Sequence, residues 1–321
     1  MNIEKMSAEF SIGADISWYP QMLKSGFVFK NKDGAEQDLL VTLKEYNVNS
    51  IRLRTWVNPS DDSRSGHCSA EETLALAKLC RDQGFDIMLD FHYSDTWCDP
   101  GKQRKPRAWE DLDFEELVSA VYSYTYETVA LLKDNGAAPK WIQIGNETNP
   151  GMLLPDGSTD DFSKLSRLIT AGHDAVKAVS PEIITIVHLA EFNYTDFIAN
   201  YFDRLKENDC RYDMMGFSFY PYHLPGVSYE ESLRGFERSM KEIPERYKKE
   251  FMIVETGGVD IEEEESYKLL TDMIDRIKTQ PLCNGLYLWE PEGARCWSNY
   301  PLSAWRDDGC PTKAMDALKE I

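Results

Sequence analysis

Short apolar runs rich in β-branched and aromatic residues recur eight times along the chain, and each is followed by a segment with helical spacing. The runs are Ser11–Ser17, Ser50–Trp56, Asp86–His92, Trp141–Asn146, Ile183–His188, Met214–Tyr220, Phe251–Glu255 and Gly285–Trp289. The helical patterns cover Asp38–Tyr46, Ala70–Gln83, Phe114–Asn135, Phe162–Val179, Tyr194–Glu207, Tyr229–Lys248, Ile261–Thr279 and Thr312–Lys319. Ser69, with Glu72 three residues on, signals a capping box at the start of the second helix. Such regular alternation implies parallel β-α-β units. Eight of them are the arithmetic of a (β/α)8 TIM barrel. A doubly wound open sheet is the alternative, but it normally carries a glycine-rich phosphate loop after its first strand, and Gly13-Ala-Asp-Ile-Ser is not one. No compositional break divides the chain. The 321 residues, 42% hydrophobic, read as a single α/β barrel domain over 1–321.

Two of the runs end abruptly in a glutamate. Trp141-Ile-Gln-Ile-Gly-Asn-Glu-Thr-Asn149 holds Glu147 behind Asn146, and Phe251-Met-Ile-Val-Glu-Thr-Gly257 holds Glu255. A carboxyl at the end of a buried strand is costly to desolvate, so it usually has a function. On strands four and seven of a barrel, both sit at the C-terminal rim, where such barrels keep their active sites. A facing carboxyl pair is the equipment for glycoside hydrolysis.

The other strand ends are polar and aromatic. They supply Asp15, Trp18, Arg52, Arg54, Trp56, Asn58, His92, Tyr93, Asp95, Trp97, His188, Glu191, Tyr220, Tyr222, His223, Trp289, Glu290 and Glu292. Aromatic faces stack on sugar rings, and Asn, Arg and His can hydrogen-bond hydroxyls. Arg52 and Arg54 alternate on one strand face. One can be a structural ion pair, while the other points into the mouth and keeps a carboxylate ionised. Arg54, nearer the strand end, is the expected candidate. His92 reads equally as a satisfied core histidine, and Trp18 and Trp56 as packing residues. Trp97 lies in a polar loop, which favours a sugar platform. Glu191, Glu290 and Glu292 read as loop carboxylates. Asn146 beside Glu147 is placed to bind a sugar 2-hydroxyl, a contact that strengthens in the transition state. The longest irregular stretch, Ser94–Asp113, follows strand three on the same face.

A net charge of −20, with no Lys/Arg cluster, argues against a nucleic-acid partner and otherwise reads as solubility. No apolar run approaches the roughly 18–20 residues of a membrane-spanning helix. The stretch Met-Asn-Ile-Glu-Lys-Met-Ser-Ala-Glu-Phe10 has no apolar core and does not read as a signal peptide. The seven cysteines show no zinc spacing. Cys296 and Cys310 flank one loop and are the pair that an oxidising compartment could join. The five histidines are too few for a metal-dependent barrel hydrolase, so no metal and no cofactor is expected.

Several segments together resemble glycoside hydrolase family 53: Gly13-Ala-Asp-Ile-Ser-Trp18, Asn49-Ser-Ile-Arg-Leu-Arg-Thr-Trp-Val-Asn-Pro59, Asp90-Phe-His-Tyr-Ser-Asp-Thr-Trp97, Asp99-Pro-Gly-Lys-Gln103, Gly145-Asn-Glu147, Val254-Glu-Thr256 and Leu288-Trp-Glu-Pro291. They run in order over nearly the whole chain. The resemblance implies a (β/α)8 barrel of the retaining clan A and endo-β-1,4-galactanase activity, with β-1,4-galactan and galacto-oligosaccharides as partners. It implies Glu147 as acid/base, Glu255 as nucleophile, and Arg54, His92, Trp97, Asn146, Tyr220 and Trp289 as substrate-site residues, with Tyr220 hydrogen-bonding the nucleophile. It also implies a secreted or cell-surface protein. Two departures stand out. Where the family usually has Tyr-Pro-aromatic-Trp-His after strand six, this chain reads Tyr220-Pro-Tyr-His223, one tryptophan short. Some bacterial members also carry a long calcium-binding loop after strand eight. Here Glu290–Thr312 is short and has no clustered acidic set, so no calcium is expected in it. The rival readings are another clan A activity, of mannanase or cellulase type, and a catalytically silent carbohydrate-binding barrel.

Overall fold

The structure is a computed structural model that describes residues 10–221 and 227–321. Eight parallel strands form a closed barrel in chain order: β1 (Ser11–Asp15), β2 (Ser50–Thr55), β3 (Asp86–Phe91), β4 (Trp141–Ile144), β5 (Ile184–Leu189), β6 (Met214–Ser218), β7 (Phe251–Thr256) and β8 (Cys283–Leu288). β1 closes the ring against β8, with Ser11 opposite Gly285 and Ala14 opposite Leu288. The helices between them are α1 (Leu39–Glu45), α2 (Ala70–Asp82), α3 (Phe114–Asp134), α4 (Phe162–Val179), α5 (Thr195–Glu207), α6 (Tyr229–Tyr247) and α7 (Glu263–Ile277). The expected (β/α)8 TIM-barrel architecture is therefore the one observed. The capping box at Ser69 and Glu72 forms as the sequence suggests, and Asp113 with Glu116 builds a second one on α3.

Some short elements escape the periodicity. A six-residue helix, Tyr19–Lys24, carries Pro20 in its first turn. Gly151–Met152 and Gly157–Ser158 pair as a two-stranded ribbon. Both are too short for a repeating pattern to set them apart from loop. The closing segment, expected to be helical over Thr312–Lys319, is helical over Lys313–Glu320 but winds as a 3₁₀-helix rather than an α-helix.

The interior of the barrel is layered, as in other barrels of this kind. Its lower half is filled by Met88, Trp141, Ile186, Met214, Met252, Val254 and Tyr287. Tyr287 takes the space that a side chain at position 13 would need, so β1 carries Gly13 there. One pleat higher along the strands the apolar filling gives way to polar groups. Asp15, Arg52, Asp90, Gln143 and His188 are all wholly buried. All seven cysteines are free thiols, and Cys296 and Cys310 are not joined. No helix among the described residues is long and apolar enough to cross a membrane.

Candidate active site

Local backbone devices aim both glutamates at the barrel mouth. On β7, Met252 and Val254 face inward, so simple alternation would send Glu255 outward. The pairing with β6 slips at this point: Phe217 lies opposite Ile253, but Ser218 lies opposite Glu255. This irregularity turns Glu255 inward, as bulges do near active sites. β4 ends at Ile144 and the chain breaks sharply at Gly145 (φ 87°). Glu147 itself is in the left-handed region (φ 46°), which costs a non-glycine residue about 1–3 kcal/mol. The turn is held from outside. Gln103 Nε2 donates to the carbonyls of Asn146 (2.7 Å) and Glu147 (3.1 Å), and the Glu147 N–H donates to His188 Nδ1 (3.3 Å).

Arg52 is the hub of the polar layer. Its Nε donates to Gln143 Oε1 (2.6 Å), Nη1 to Asp15 (2.8 Å), and Nη2 to Asp90 (2.9 Å) and Asn146 Oδ1 (2.9 Å). Nη2 also lies 2.8 Å from Glu255 Oε1. Burial alone would raise the Asp90 carboxyl, but Arg52 and His92 outweigh it and hold Asp90 down at about 2. The Tyr220 hydroxyl donates to the other Glu255 oxygen (3.3 Å). Burial drives the Tyr220 hydroxyl well above its ordinary range, so it stays a donor.

The two glutamates sit in different surroundings. Burial raises the Glu147 carboxyl to about 7; Ser218 and Arg52 pull against burial, while Asp99 and Asp90 add to it. Burial and the nearby Glu147 push Glu255 up as well, against Arg52. Two such carboxyls cannot both ionise freely, so they share a proton through the acid range. It belongs on Glu147, because only Glu255 has a guanidinium at 2.8 Å. Ser218 Oγ links Glu147 to His188 Nε2 (2.8 Å), and burial keeps His188 neutral. Since Nδ1 of His188 accepts from the backbone, its proton is on Nε2.

A cleft of about 570 Å³ opens over this layer. His92, Trp97, Asn146, Glu147, Tyr220, Glu255 and Trp289 all line it, seven of the eight residues named from the sequence. Trp97 and Trp289 meet at 5.7 Å with their planes at 60°, backed by the buried Trp18 at 5.9 and 5.3 Å. His92 donates from Nε2 to Asp90 (3.0 Å) and accepts the Cys98 N–H at Nδ1 (2.9 Å). With both nitrogens committed, His92 contributes a wall rather than a hydrogen bond.

Arg54 is the exception. It does not line the cleft and does not touch Glu255. It is 1% exposed, pairs with Glu290, and lies beneath the Trp97 ring at 4.3 Å from its centroid. The arginine that pairs with Glu255 is Arg52. Arg52 meets Glu255 at the mouth, while Arg54, two residues further along the strand, is taken by the buried Glu290 under the tryptophan rings. Ser218, Cys98, Ala190, Asn193 and Tyr300, none of them among the expected site residues, line the same cleft. Ser218 was legible as an inward position on β6. Tyr300, in the loop after β8, carried no periodic signal. Glu290 and Glu292, read as loop carboxylates, are wholly buried. Tyr222 and His223, where the expected tryptophan is missing, lie outside the described residues. No group of three or more potential ligands able to hold a metal occurs among the described residues.

Comparison with known proteins agrees with this arrangement. Residues 11–300 match the family profile Glycosyl hydrolase family 53. The chain is 32% identical over 305 residues to a probable arabinogalactan endo-beta-1,4-galactanase A of Aspergillus fumigatus, covering 87% of this chain and 83% of that one. It is 30% identical over 259 residues to the endo-beta-1,4-galactanase of Bacillus subtilis, covering 79% of this chain and 58% of the other. The solved catalytic domain of an Ignisphaera aggregans protein of the same family superposes with a TM-score of 0.88 at 28% identity, over 99% of this chain and 96% of that one. A bulge-aimed Glu255 on Arg52, a raised Glu147 across the same cleft, and a family match over nearly the whole barrel lead to one conclusion: this chain belongs to glycosyl hydrolase family 53.

Proposed function

We propose that the chain is a retaining endo-β-1,4-galactanase in which Glu255 is the nucleophile and Glu147 the acid/base. The observation that carries these roles is the opposite setting of the two carboxyls. Glu255 has Arg52 at 2.8 Å and the Tyr220 hydroxyl at 3.3 Å, which favour its charge. Glu147 is raised to about 7 and so keeps its proton in mildly acidic solution. Glu255 attacks the anomeric carbon as Glu147 gives its proton to the leaving oxygen. Once Glu255 is esterified its negative charge is gone, so Glu147 loses its proton more readily and acts as base for the incoming water. Retention calls for the two carboxyls to stand roughly 5–5.5 Å apart.

The remaining cleft residues serve the sugar. Trp97 and Trp289 offer ring faces for stacking. Asn146 accepts from Arg52 and gives one N–H to the Cys98 carbonyl (2.7 Å), leaving its second N–H for a substrate hydroxyl. No metal or organic cofactor enters these steps. A polymeric galactan does not cross a membrane, so the enzyme meets it in the medium or at a cell surface.

The test is product analysis after incubation with linear β-1,4-galactan, with mannan and cellulose in parallel. Short galacto-oligosaccharides from galactan alone support the reading. Cleavage of mannan or cellulose with galactan untouched overturns the substrate assignment and leaves the two-glutamate chemistry. Near-wild-type turnover in Glu255→Gln would overturn the roles.

A further inference from the structure

Behind the cleft the barrel mouth holds a second pair of carboxyls that the reaction does not use. Glu290 and Glu292 follow β8 two residues apart, and each is 0% exposed. Glu290 leaves the strand with left-handed backbone (φ 41°). One of its oxygens pairs with Arg54 Nη1, and the other accepts the backbone N–H of Trp18 (3.2 Å). Both oxygens of Glu292 are sealed from solvent, and neither receives a hydrogen bond from an N–H or hydroxyl donor among the described residues. The polar groups beside Glu292 are the Glu290 carboxyl and, short of hydrogen-bond geometry, Glu292's own backbone N–H.

A sealed carboxylate without a donor would be very unfavourable, whereas a carboxylic acid facing a carboxylate supplies its own donor. The charges of the mouth point the same way. Among the described residues its buried arginines are Arg52 and Arg54, against Asp15, Asp90, Glu255, Glu290 and Glu292 in the same interior. Arg52 serves Asp15, Asp90 and Glu255. Arg54 serves Glu290, with Asp15 farther off at 3.8 Å. Among the described residues no cation is left for Glu292, so it is held neutral by a proton.

What this pair supports lies directly above it. The Arg54 guanidinium is packed among three tryptophan rings, at 4.3 Å from the Trp97 centroid, 5.2 Å from Trp56 and 5.6 Å from Trp18. Its Nε has no hydrogen-bond partner among the described residues. Glu290 is therefore the main tether that keeps the guanidinium under Trp97, a ring that lines the cleft.

We propose that Glu290 and Glu292, sharing one proton, are positioning residues for the sugar platform: they anchor Arg54 beneath Trp97 and so fix the ring on which the substrate stacks. The inference rests on the proposed reading of the cleft as a sugar site. It replaces the expected role of Arg54, which acts through Trp97 and not on the substrate or on Glu255.

The test compares Glu290→Gln, Glu292→Ala and Glu292→Gln in the whole chain, by KM and kcat on galactan and by near-UV circular dichroism without substrate. Glu290→Gln and Glu292→Ala should raise KM roughly ten-fold with kcat within about three-fold, and should change the tryptophan bands while the far-UV spectrum stays. Glu292→Gln keeps a donor toward Glu290 and should recover most of the loss seen in Glu292→Ala. If Glu290→Gln fails to fold around an unpaired Arg54, the double variant Arg54→Met/Glu290→Gln removes both charges and should fold with the same KM defect. Unchanged KM and unchanged tryptophan bands across these variants would overturn the inference. So would a fall in kcat alone, or a Glu292→Gln variant as damaged as Glu292→Ala. The dichroism needs no substrate, so a wild-type enzyme inactive on galactan would sink the substrate reading and still leave the platform decided.

Discussion

Glu147→Gln should make the protein more stable, increasingly so as the pH rises. In the folded chain burial lifts the Glu147 carboxyl from an ordinary 4.5 to about 7. A carboxyl raised in this way binds its proton more tightly when folded, so stability is lost as pH climbs from the ordinary value through about 7. At 1.36 kcal/mol per pKa unit, the wild-type chain gives up about 0.8 kcal/mol at pH 5 and about 3.3 kcal/mol at pH 8. A glutamine never ionises, and it can still accept the hydrogen bond from Ser218. The variant therefore gains about 2.5 kcal/mol on the wild type between those two pH values. With about 2.1 cal/mol/K of unfolding entropy per residue, the chain carries roughly 0.67 kcal/mol/K. The Tm difference between variant and wild type should widen by about 4 °C from pH 5 to pH 8, read by calorimetry in matched buffers. A difference that stays flat across this range, or a wild type that is the more stable at pH 8, would refute the claim that Glu147 is held protonated by its site. Stability gained with turnover abolished is the usual signature of a group kept in place for function.

Other outcomes follow from the same geometry. Arg52→Met leaves Asp15, Asp90 and Glu255 without their cation and should cost roughly 3–5 kcal/mol of stability, seen as an early melting transition. Trp97→Ala removes one stacking face; KM should rise roughly five- to thirty-fold, corresponding to about 1–2 kcal/mol, with the melting profile little changed. Gln103→Ala releases the Asn146 and Glu147 carbonyls, so kcat should fall at least several-fold while oligosaccharide binding, measured by calorimetry, holds. The alkaline limb of kcat/KM should fall near pH 7 as Glu147 loses its proton, and a profile level to pH 9 would contradict that role.

Much of the barrel could be read from residue patterns because each strand and each long helix repeats its period several times. The strands begin or end within a few residues of the apolar runs, and the cap at Ser69 falls where its Ser and Glu predict. The choice between Arg52 and Arg54 could not be read this way. Two residues apart on a strand, they share a face, and only three-dimensional reach separates the one at Glu255 from the one under Trp97. Glu255 shows the opposite case. Strict alternation would have pointed it outward, and a register slip against Ser218, invisible in the linear chain, turns it in. Glu290 and Glu292 look like loop carboxylates because composition carries no information on burial. Gln103 stands 43 and 44 residues before the carbonyls it holds, a pairing that only tertiary contact creates.

The cluster of rings around Trp18 has an optical consequence. Five of the eight tryptophans in the chain, Trp18, Trp56, Trp97, Trp289 and Trp297, lie in one connected set with centroids 5.1–5.9 Å apart. At such separations, with planes crossing at 60–81°, the indole transitions couple, and excitation absorbed by one ring is shared among the others. Two of these coupled rings, Trp97 and Trp289, face the cleft. A sugar settling on either would alter the signal of the whole set, so the cleft reports its own occupancy without any added dye.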